Sequence, residues 1–267
     1  MPISVSSHFQ GLSTAATATT TPSSAPSTQS TTTNPIYIFA YGSLINAASV
    51  RRSVSSPITS TPTPVSIAGF KRSWSFKCSR RQYTAVSISP SKSKTDSVNG
   101  VLLKLSSEAD LKNLDAREQG YIRTQICMSR ISQPYKSATI EPHAQVWAYV
   151  LEDCDTESGY ESDSSVSSTK SHVACPKVPI PQSYVDCILA GALLEHGQQF
   201  AIDFIRSTDM WHEGTWINDR NAQDPVRRYV PNAAVGEKDL CPNVAQAIDD
   251  LLRALVPDAF SSRIDVA

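Results

Sequence analysis

The chain has 267 residues, a formal net charge of −1 and 40% hydrophobic residues, which is enough apolar material for the core of a folded domain. Its 24 basic and 25 acidic residues give no basic surface that would favour binding of nucleic acid or anionic lipid. No run of about 18 apolar residues is present, so we expect no membrane-spanning helix. These exclusions favour a protein that acts on, or binds, a small molecule.

The cysteines and histidines show no pattern of a disulfide framework or a metal centre. The six cysteines include no C-x-x-C pair, which favours reduced structural thiols. The five histidines include no H-E-x-x-H motif, so a catalytic zinc ion has no predicted ligands. We predict no bound metal.

The N-terminal residues 1–34 are rich in Ser, Thr, Ala and Pro and contain no Asp, Glu, Lys or Arg. Such a segment buries too little apolar surface to offset the entropy lost on ordering, so we expect disorder. The composition also leaves open a plastid transit peptide, although such peptides normally carry arginines. The predicted location is the cytoplasm, with a plastid as the alternative.

Ordered structure is predicted to begin at the β-prone run 36–40, which ends at the turn-forming Gly42. Asn46 is placed to cap a helix that continues through Arg51. A loop rich in Pro, Ser and Thr is expected over 53–64. The predicted order is therefore strand, tight turn and helix.

The next segments predict neighbouring strands of a mainly antiparallel sheet. Aromatic and β-branched residues favour strands at 67–76 and 82–88. Asn99-Gly100 has the composition of a hairpin turn, and it precedes the apolar run 101–105.

A helix is predicted after Ser107, because an acid three positions later completes a pattern similar to a capping box. Strands are expected at 121–128 and 146–151 from their alternation and their aromatic and β-branched content. Arg117 and Glu118 therefore lie at a helix-to-strand junction. If both belonged to the strand, their side chains would point apart.

The C-terminal part combines a polar insertion with helices. Residues 152–172 hold six acids and one lysine among many serines, which predicts disorder and leaves open a phosphorylation segment. A helical pattern over 183–206 is interrupted at Gly197, 211–229 is loop-like, and one more helix follows Asn243. We predict a single domain over 35–260, with a disordered acidic insertion at about 152–175.

The motif Tyr41-Gly42-Ser43-Leu44 lies between the first strand and the first helix. Backbone N–H groups converge at such a connection, and the helix dipole favours an anion there. Glycine also lets the backbone approach a ligand closely. The motif is a candidate cradle for a carboxylate, with an ordinary strand-to-helix connection as the alternative.

Glu118 is the candidate catalytic carboxylate. Arg117 precedes it, and Gly120 lets the chain turn directly after it. From spacing alone, the alternative is a surface ion pair of about 0 to 1 kcal/mol without a functional role.

Together the two motifs resemble a known family. FAYGSL at 39–44 and LDAREQGYIR at 114–123 have the order and spacing of the γ-glutamylcyclotransferase family, which includes glutathione-specific enzymes. PIPQSYVDCILAG at 179–191 and WINDR at 216–220 resemble the C-terminal half of its bacterial-type branch. The resemblance extends over about residues 36–230, interrupted by the acidic insertion.

The resemblance implies an α+β fold with a small, mixed, barrel-like β-sheet flanked by helices, and a reaction that needs no cofactor. In this family the α-amine of the substrate attacks its own γ-carbonyl and releases 5-oxoproline. Glu118 matches the family's essential glutamate, which would act as general base and general acid. The substrate-binding residues that the resemblance implies are Tyr41, Gly42, Ser43, Leu44 and Tyr121.

Two further function classes are considered. A serine hydrolase would use Ser43, but the chain lacks the G-x-S-x-G elbow around it. A non-catalytic ligand-binding or interaction protein on the same fold stays open, because fold alone does not fix function. The oligomeric state is not indicated by the sequence.

The substrate is expected to be a γ-glutamyl compound. Glutathione, γ-glutamyl amino acids and γ-glutamylamines share the half that the loop and Glu118 would bind. Glutathione-specific members tend to have tryptophan at the position of Asn46, which argues against strict glutathione specificity.

Overall fold

A computed structural model describes residues 34–54, 60–93, 95–135, 139–151, 172–222 and 240–266, all within the compact unit Asn34–Ala267. The predicted N-terminal tail lies outside these residues apart from Asn34. The predicted acidic insertion lies outside them as far as residue 171. Beyond the predicted domain end at 260, a helix ends at Ser261 and a short strand follows.

The described residues form a mixed α+β structure. The strands are β1 Ile36–Ala40, β2 Thr63–Ala68, β3 Phe70–Cys78, β4 Tyr83–Pro90, β5 Ser97–Lys104, β6 Ile122–Ile126, β7 Ile131–Ser132, β8 Gln145–Val150, β9 Ile180–Pro181, β10 Thr208–Asp209, β11 Trp216–Asn218 and β12 Ile264–Asp265. The α-helices are α1 Ala47–Arg51, α2 Glu108–Arg117, α3 Gln182–Gly191, α4 Gln198–Arg206, α5 Pro242–Leu255 and α6 Pro257–Ser261.

The largest sheet of the described residues is a curled half-barrel of strand order β6-β8-β1-β5-β2-β7. Strand β1 lies at its centre, antiparallel to β5 and parallel to β8. Phe39 pairs with Leu102, and all three strands carry buried apolar side chains. Two three-stranded sheets, β10-β3-β4 and β12-β11-β9, complete the β structure. The predicted α+β class and the barrel-like sheet flanked by helices are confirmed.

The predicted hairpin turn at Asn99-Gly100 is wrong. Both residues lie inside β5 and are buried, and Asn99 pairs with Ser66 of β2. A Cβ atom on Gly100 would lie 2.5 Å from the Ala40 carbonyl oxygen and 2.6 Å from ring atoms of Phe39. Glycine is present here because two strands and an aromatic ring approach closely, which local turn preferences do not reveal.

The predicted strand at 67–76 is two strands, since Gly69 with φ of +79° separates β2 from β3. Strand β2 also begins at Thr63, inside the loop predicted over 53–64. Burial of alternate β2 side chains on the sheet outweighs the loop-like composition there.

The helix signals are confirmed where they were strongest. Ser107 caps α2 through its hydroxyl oxygen, which accepts from the Asp110 N–H at 3.2 Å. Helix α3 is buried along its whole length and continues into a π-helical segment, Ala192–His196. Gly197, with φ of +91°, then separates this segment from α4, as predicted.

The described residues include no helix that is both long and apolar enough to cross a membrane. In the same ranges, His, Cys, Asp and Glu side chains do not gather in groups of three or more that could bind a metal ion.

Candidate active site

The loop after β1 is built by a short 3-10 turn. Ser43–Ile45 forms the turn, and the Ile45 N–H donates to the Gly42 carbonyl oxygen at 2.9 Å. Asn46 ends the turn and caps α1, as predicted, because its side-chain oxygen accepts from the Ala48 N–H at 2.9 Å. The first N–H groups of such a turn have no partner within the turn, so they are available to a ligand.

Gly42 is required by a close approach of two other segments. A Cβ atom at this position would lie 2.9 Å from Val86 Cγ2 and 3.3 Å from the Tyr184 hydroxyl oxygen. The loop therefore packs directly against β4 and α3. Its bare backbone forms part of the wall that a ligand would meet.

Asn46 faces helix α3 and is not among the residues that line the pocket. Its Nδ2 donates to the Cys187 carbonyl oxygen at 2.9 Å. A Cβ atom on Gly191 would lie 2.6 Å from the Asn46 Cα, so the two backbones are in close contact. The side chain that carried the argument on glutathione specificity thus has a structural role in this chain.

Glu118 lies at the C-terminal end of α2, at the predicted junction. Its N–H donates to the Leu114 carbonyl oxygen at 2.9 Å, and its carbonyl oxygen accepts from the Tyr121 N–H at 3.2 Å. Gly120, with φ of +94°, completes the turn into β6. This short connection directs the carboxylate towards β1, and its side chain is 20% exposed.

Arg117 joins the two predicted motifs. Its Nε lies 3.2 Å from Glu118 Oε1, and its Nη2 donates to the Ser43 hydroxyl at 3.0 Å. Arg117 is the last residue of α2 and Glu118 is its C-cap, so neither residue belongs to a strand. The opposite side-chain directions expected for neighbours on a strand therefore do not apply to this pair. Ser43 has an arginine donor where a nucleophilic serine would need a base.

The electrostatic environment of Glu118 suits proton transfer. Burial raises the pKa of its carboxyl, and the positive charge of Arg117 acts in the opposite direction. The net effect is a pKa above the usual range, which makes the carboxylate a stronger base.

Tyrosines form much of the remaining wall. Tyr41 donates to the Tyr149 carbonyl oxygen at 2.5 Å, and Tyr121 donates to the Val86 carbonyl oxygen at 3.0 Å. The Tyr121 ring stacks on Phe76 with centroids 4.1 Å apart. Burial raises the pKa of both Tyr41 and Tyr121 well above the ordinary value, so both phenols are neutral.

The structure brings all six predicted site residues to the wall of one partly open pocket. Sequence reasoning missed Val86, Tyr149 and Tyr184 in its wall. Tyr184 lies in the matching segment at 179–191, which gave a weak signal. Val86 and Tyr149 carried none, because alternation within a strand shows which face is buried and not what that face meets. The lining residues are Ile38, Phe39, Ala40, Tyr41, Gly42, Ser43, Leu44, Val86, Glu118, Tyr121, Tyr149 and Tyr184.

The W-x-N-D-R segment at 216–220 has a structural role away from the pocket. Asp219 caps α3, because its carboxylate accepts from the Ser183 N–H at 2.8 Å and from the Ser183 hydroxyl at 2.6 Å. Arg220 lies between Asp186 of α3 and Asp249 of α5, at 2.7 and 2.8 Å. Burial opposes the charged form of Arg220, but the bonds to both carboxylates outweigh it and raise its pKa.

Comparison with known proteins gives a family match for part of the chain. Residues 38–167, slightly less than half of the chain, match the family model described as gamma-glutamyl cyclotransferase, AIG2-like. This stretch is γ-glutamyl cyclotransferase-like. It contains both the loop and Glu118, and it confirms the resemblance recognised in the sequence. No curated protein sequence matches the chain.

Several solved structures are similar to the chain at low identity. A gamma-glutamyl cyclotransferase and an uncharacterized protein from Homo sapiens each share 15% identity, with 81% of this chain and 99% of theirs covered and TM-scores of 0.43. A cyclotransferase specific to glutathione from yeast shares 12% identity over 65% of this chain and 86% of its own, with a TM-score of 0.31. At these values no residue role is carried over to this chain.

Proposed function

We propose that the protein is a γ-glutamyl cyclotransferase that releases 5-oxoproline from a γ-glutamyl substrate. The observation that carries the proposal is the convergence of the Glu118 carboxylate and the Tyr41–Leu44 loop on one tyrosine-lined pocket. The family match over 38–167 supports the same class of reaction and a small-molecule γ-glutamyl substrate.

The proposed reaction is an intramolecular transfer. The α-amine nitrogen forms a bond to the γ-carbonyl carbon, and the bond from that carbon to the leaving nitrogen breaks. The amine arrives largely as an ammonium ion, so Glu118 first removes a proton from it and then returns one to the leaving nitrogen. One carboxylate thus serves as base and acid, which its raised pKa favours.

Binding contributes by holding the substrate folded for closure of a five-membered ring. When two groups of one molecule are held in the correct orientation, the activation barrier falls by several kcal/mol, and by up to about 7 to 11 kcal/mol in the best-aligned cases. The neutral tyrosines and Val86 would enclose the γ-glutamyl half, and the loop N–H groups would hold its α-carboxylate. All substrates of the class share this half, so the proposal extends to γ-glutamyl amino acids, γ-glutamylamines and glutathione.

The test is release of 5-oxoproline from a panel of these three kinds of compound. The variants are Glu118→Gln, which keeps the shape and removes the base, and Glu141→Gln as a matched control. Glu141 is an exposed carboxylate that pairs with Lys104 at 2.9 Å and does not line the pocket. We expect release by the wild type and by Glu141→Gln, and none by Glu118→Gln.

The other outcomes are equally informative. Undiminished release by Glu118→Gln would refute the assignment of the base. Absence of release from every compound, together with calorimetric binding of one of them, would favour the non-catalytic ligand-binding protein instead.

A further inference from the structure

Arg72, the third residue of β3, is a completely buried cation whose hydrogen-bond acceptors are all neutral. Its side chain is 0% exposed, and its guanidinium lies 3.7 Å from the centroid of the Phe204 ring. The acceptors are the oxygens of Thr208 Oγ1 at 2.8 Å, Asn99 O at 2.9 Å, Asn99 Oδ1 at 2.7 Å, Ser207 Oγ at 2.7 Å, Phe204 O at 3.1 Å and Tyr41 O at 3.3 Å.

A buried charge is normally paired, because removal from water is costly and only an opposite charge offsets it fully. No carboxylate of the described residues lies within salt-bridge distance of Arg72. Burial lowers its pKa to about 9, which still leaves it charged at neutral pH. The folded protein therefore holds one positive charge that lacks an anionic partner among these residues.

Arg72 contacts the Tyr41–Leu44 loop. Five of the six bonds hold the guanidinium to β5, to the end of α4 and to Thr208 of β10, and the sixth reaches the carbonyl oxygen of Tyr41. In a trans peptide the C=O and the following N–H point in opposite directions. With the Tyr41 carbonyl directed at Arg72, the Gly42 N–H points away from Arg72, and Gly42 lines the pocket.

We propose that Arg72 is a positioning residue that fixes the Tyr41–Gly42 peptide so that the Gly42 N–H receives the α-carboxylate of the substrate. This inference rests on the proposed function. The α-carboxylate would also supply the negative charge that Arg72 lacks, since the interaction of two charges is weakly screened in a buried site. Arg72 acts through the peptide and is not in contact with the reacting atoms.

The experiment compares a γ-glutamyl substrate with its analogue lacking the α-carboxylate, a 4-aminobutanoyl amide. The analogue keeps the amine and the γ-carbonyl and would cyclise to 2-pyrrolidinone. The ratio of the two kcat/KM values measures how much the enzyme uses the carboxylate. General loosening of the fold lowers both values and leaves this ratio unchanged, so the ratio isolates positioning.

The variants are Arg72→Lys, which keeps the charge but cannot hold all six acceptors, and Ser207→Ala, which removes one acceptor and spares the bond to Tyr41. We expect the wild type to prefer the carboxylate-bearing substrate by about tenfold or more. Arg72→Lys should lose most of that preference, mainly through a higher KM, and Ser207→Ala should keep it within about threefold.

Three results would overturn the inference. One is an unchanged preference in a folded Arg72→Lys variant, and another is an equal loss in Ser207→Ala. The third needs no variant, because a wild type that turns over both compounds equally well makes no use of the carboxylate. Each of these requires turnover, whereas failure of the proposed function appears as no turnover of any γ-glutamyl compound.

Discussion

Replacement of Arg220 by methionine should destabilise the protein strongly, because it leaves the buried Asp186 carboxylate without its cation and leaves Asp249 only the longer, 3.8 Å ion pair with Arg263. Arg220 donates to Asp186 through Nε and Nη2, both at 2.7 Å, and to Asp249 through Nη1 at 2.9 Å. Side-chain exposure is 7% for Asp186, 18% for Arg220 and 19% for Asp249. Removing one member of a buried ion pair costs about 3 to 5 kcal/mol.

The assay is urea and thermal unfolding of the Arg220→Met variant and the wild type. For a domain of this size each kcal/mol corresponds to about 2 to 4 °C, so Tm should fall by about 6 to 20 °C. Arg253→Met is the matched control, because Arg253 forms an ion pair with Asp250 in which both side chains are more than half exposed. Its loss should stay below about 1 kcal/mol.

The pH dependence provides a second check. Burial raises the pKa of Asp186, so the unpaired Asp186 of the variant takes up a proton as the pH falls and its uncompensated charge disappears; the wild-type ion pair of Asp186 is lost at still lower pH. The stability difference should therefore shrink between neutral pH and about pH 4. A difference as small as that of Arg253→Met at neutral pH, or one that grows on acidification, would refute the reasoning.

Two other predictions concern the pocket and the sheet beneath it. The kcat/KM of the wild type should fall on the acid side at a pH above the ordinary range for glutamate, because only ionised Glu118 accepts the proton and burial raises its pKa. Arg117→Gln removes the opposing positive charge and should therefore move the acid-side fall of kcat/KM to higher pH. A pH–rate profile in which this fall stays at the same pH, or moves to lower pH, would contradict this explanation. Gly100→Ala should lower stability by about 1 to 3 kcal/mol in urea unfolding, since its Cβ would overlap Ala40 and Phe39. A loss below that range would show that β1 and β5 separate easily.

Local features of the fold could be read from the sequence because neighbouring residues determine them. Strand β1, the caps at Asn46 and Ser107, and the break at Gly197 all depend on backbone preferences and contacts within a few positions. The same holds for the junction that carries Glu118. These interactions involve only residues that are close in sequence, so the sequence pattern was sufficient to predict these elements.

Tertiary packing decided the features that local preference predicted wrongly. Asn99-Gly100 has strong turn propensity, yet it lies within a central strand because burial against β1 and β2 outweighs that preference. The same burial places the Asn99 side chain next to Arg72, whose guanidinium donates to Asn99 Oδ1. No local sequence pattern indicates this contact.

The candidate site shows the same division. The sequence alone pointed to the loop at Tyr41–Leu44 and the carboxylate at Glu118, because the two short motifs together resemble those of a known family. The tertiary structure alone decided that Arg117 joins them, across 74 positions of sequence, and that Tyr184 closes the pocket. Contacts of this kind depend on sheet register and helix packing, which arise from the whole set of buried side chains and are not encoded in any one segment.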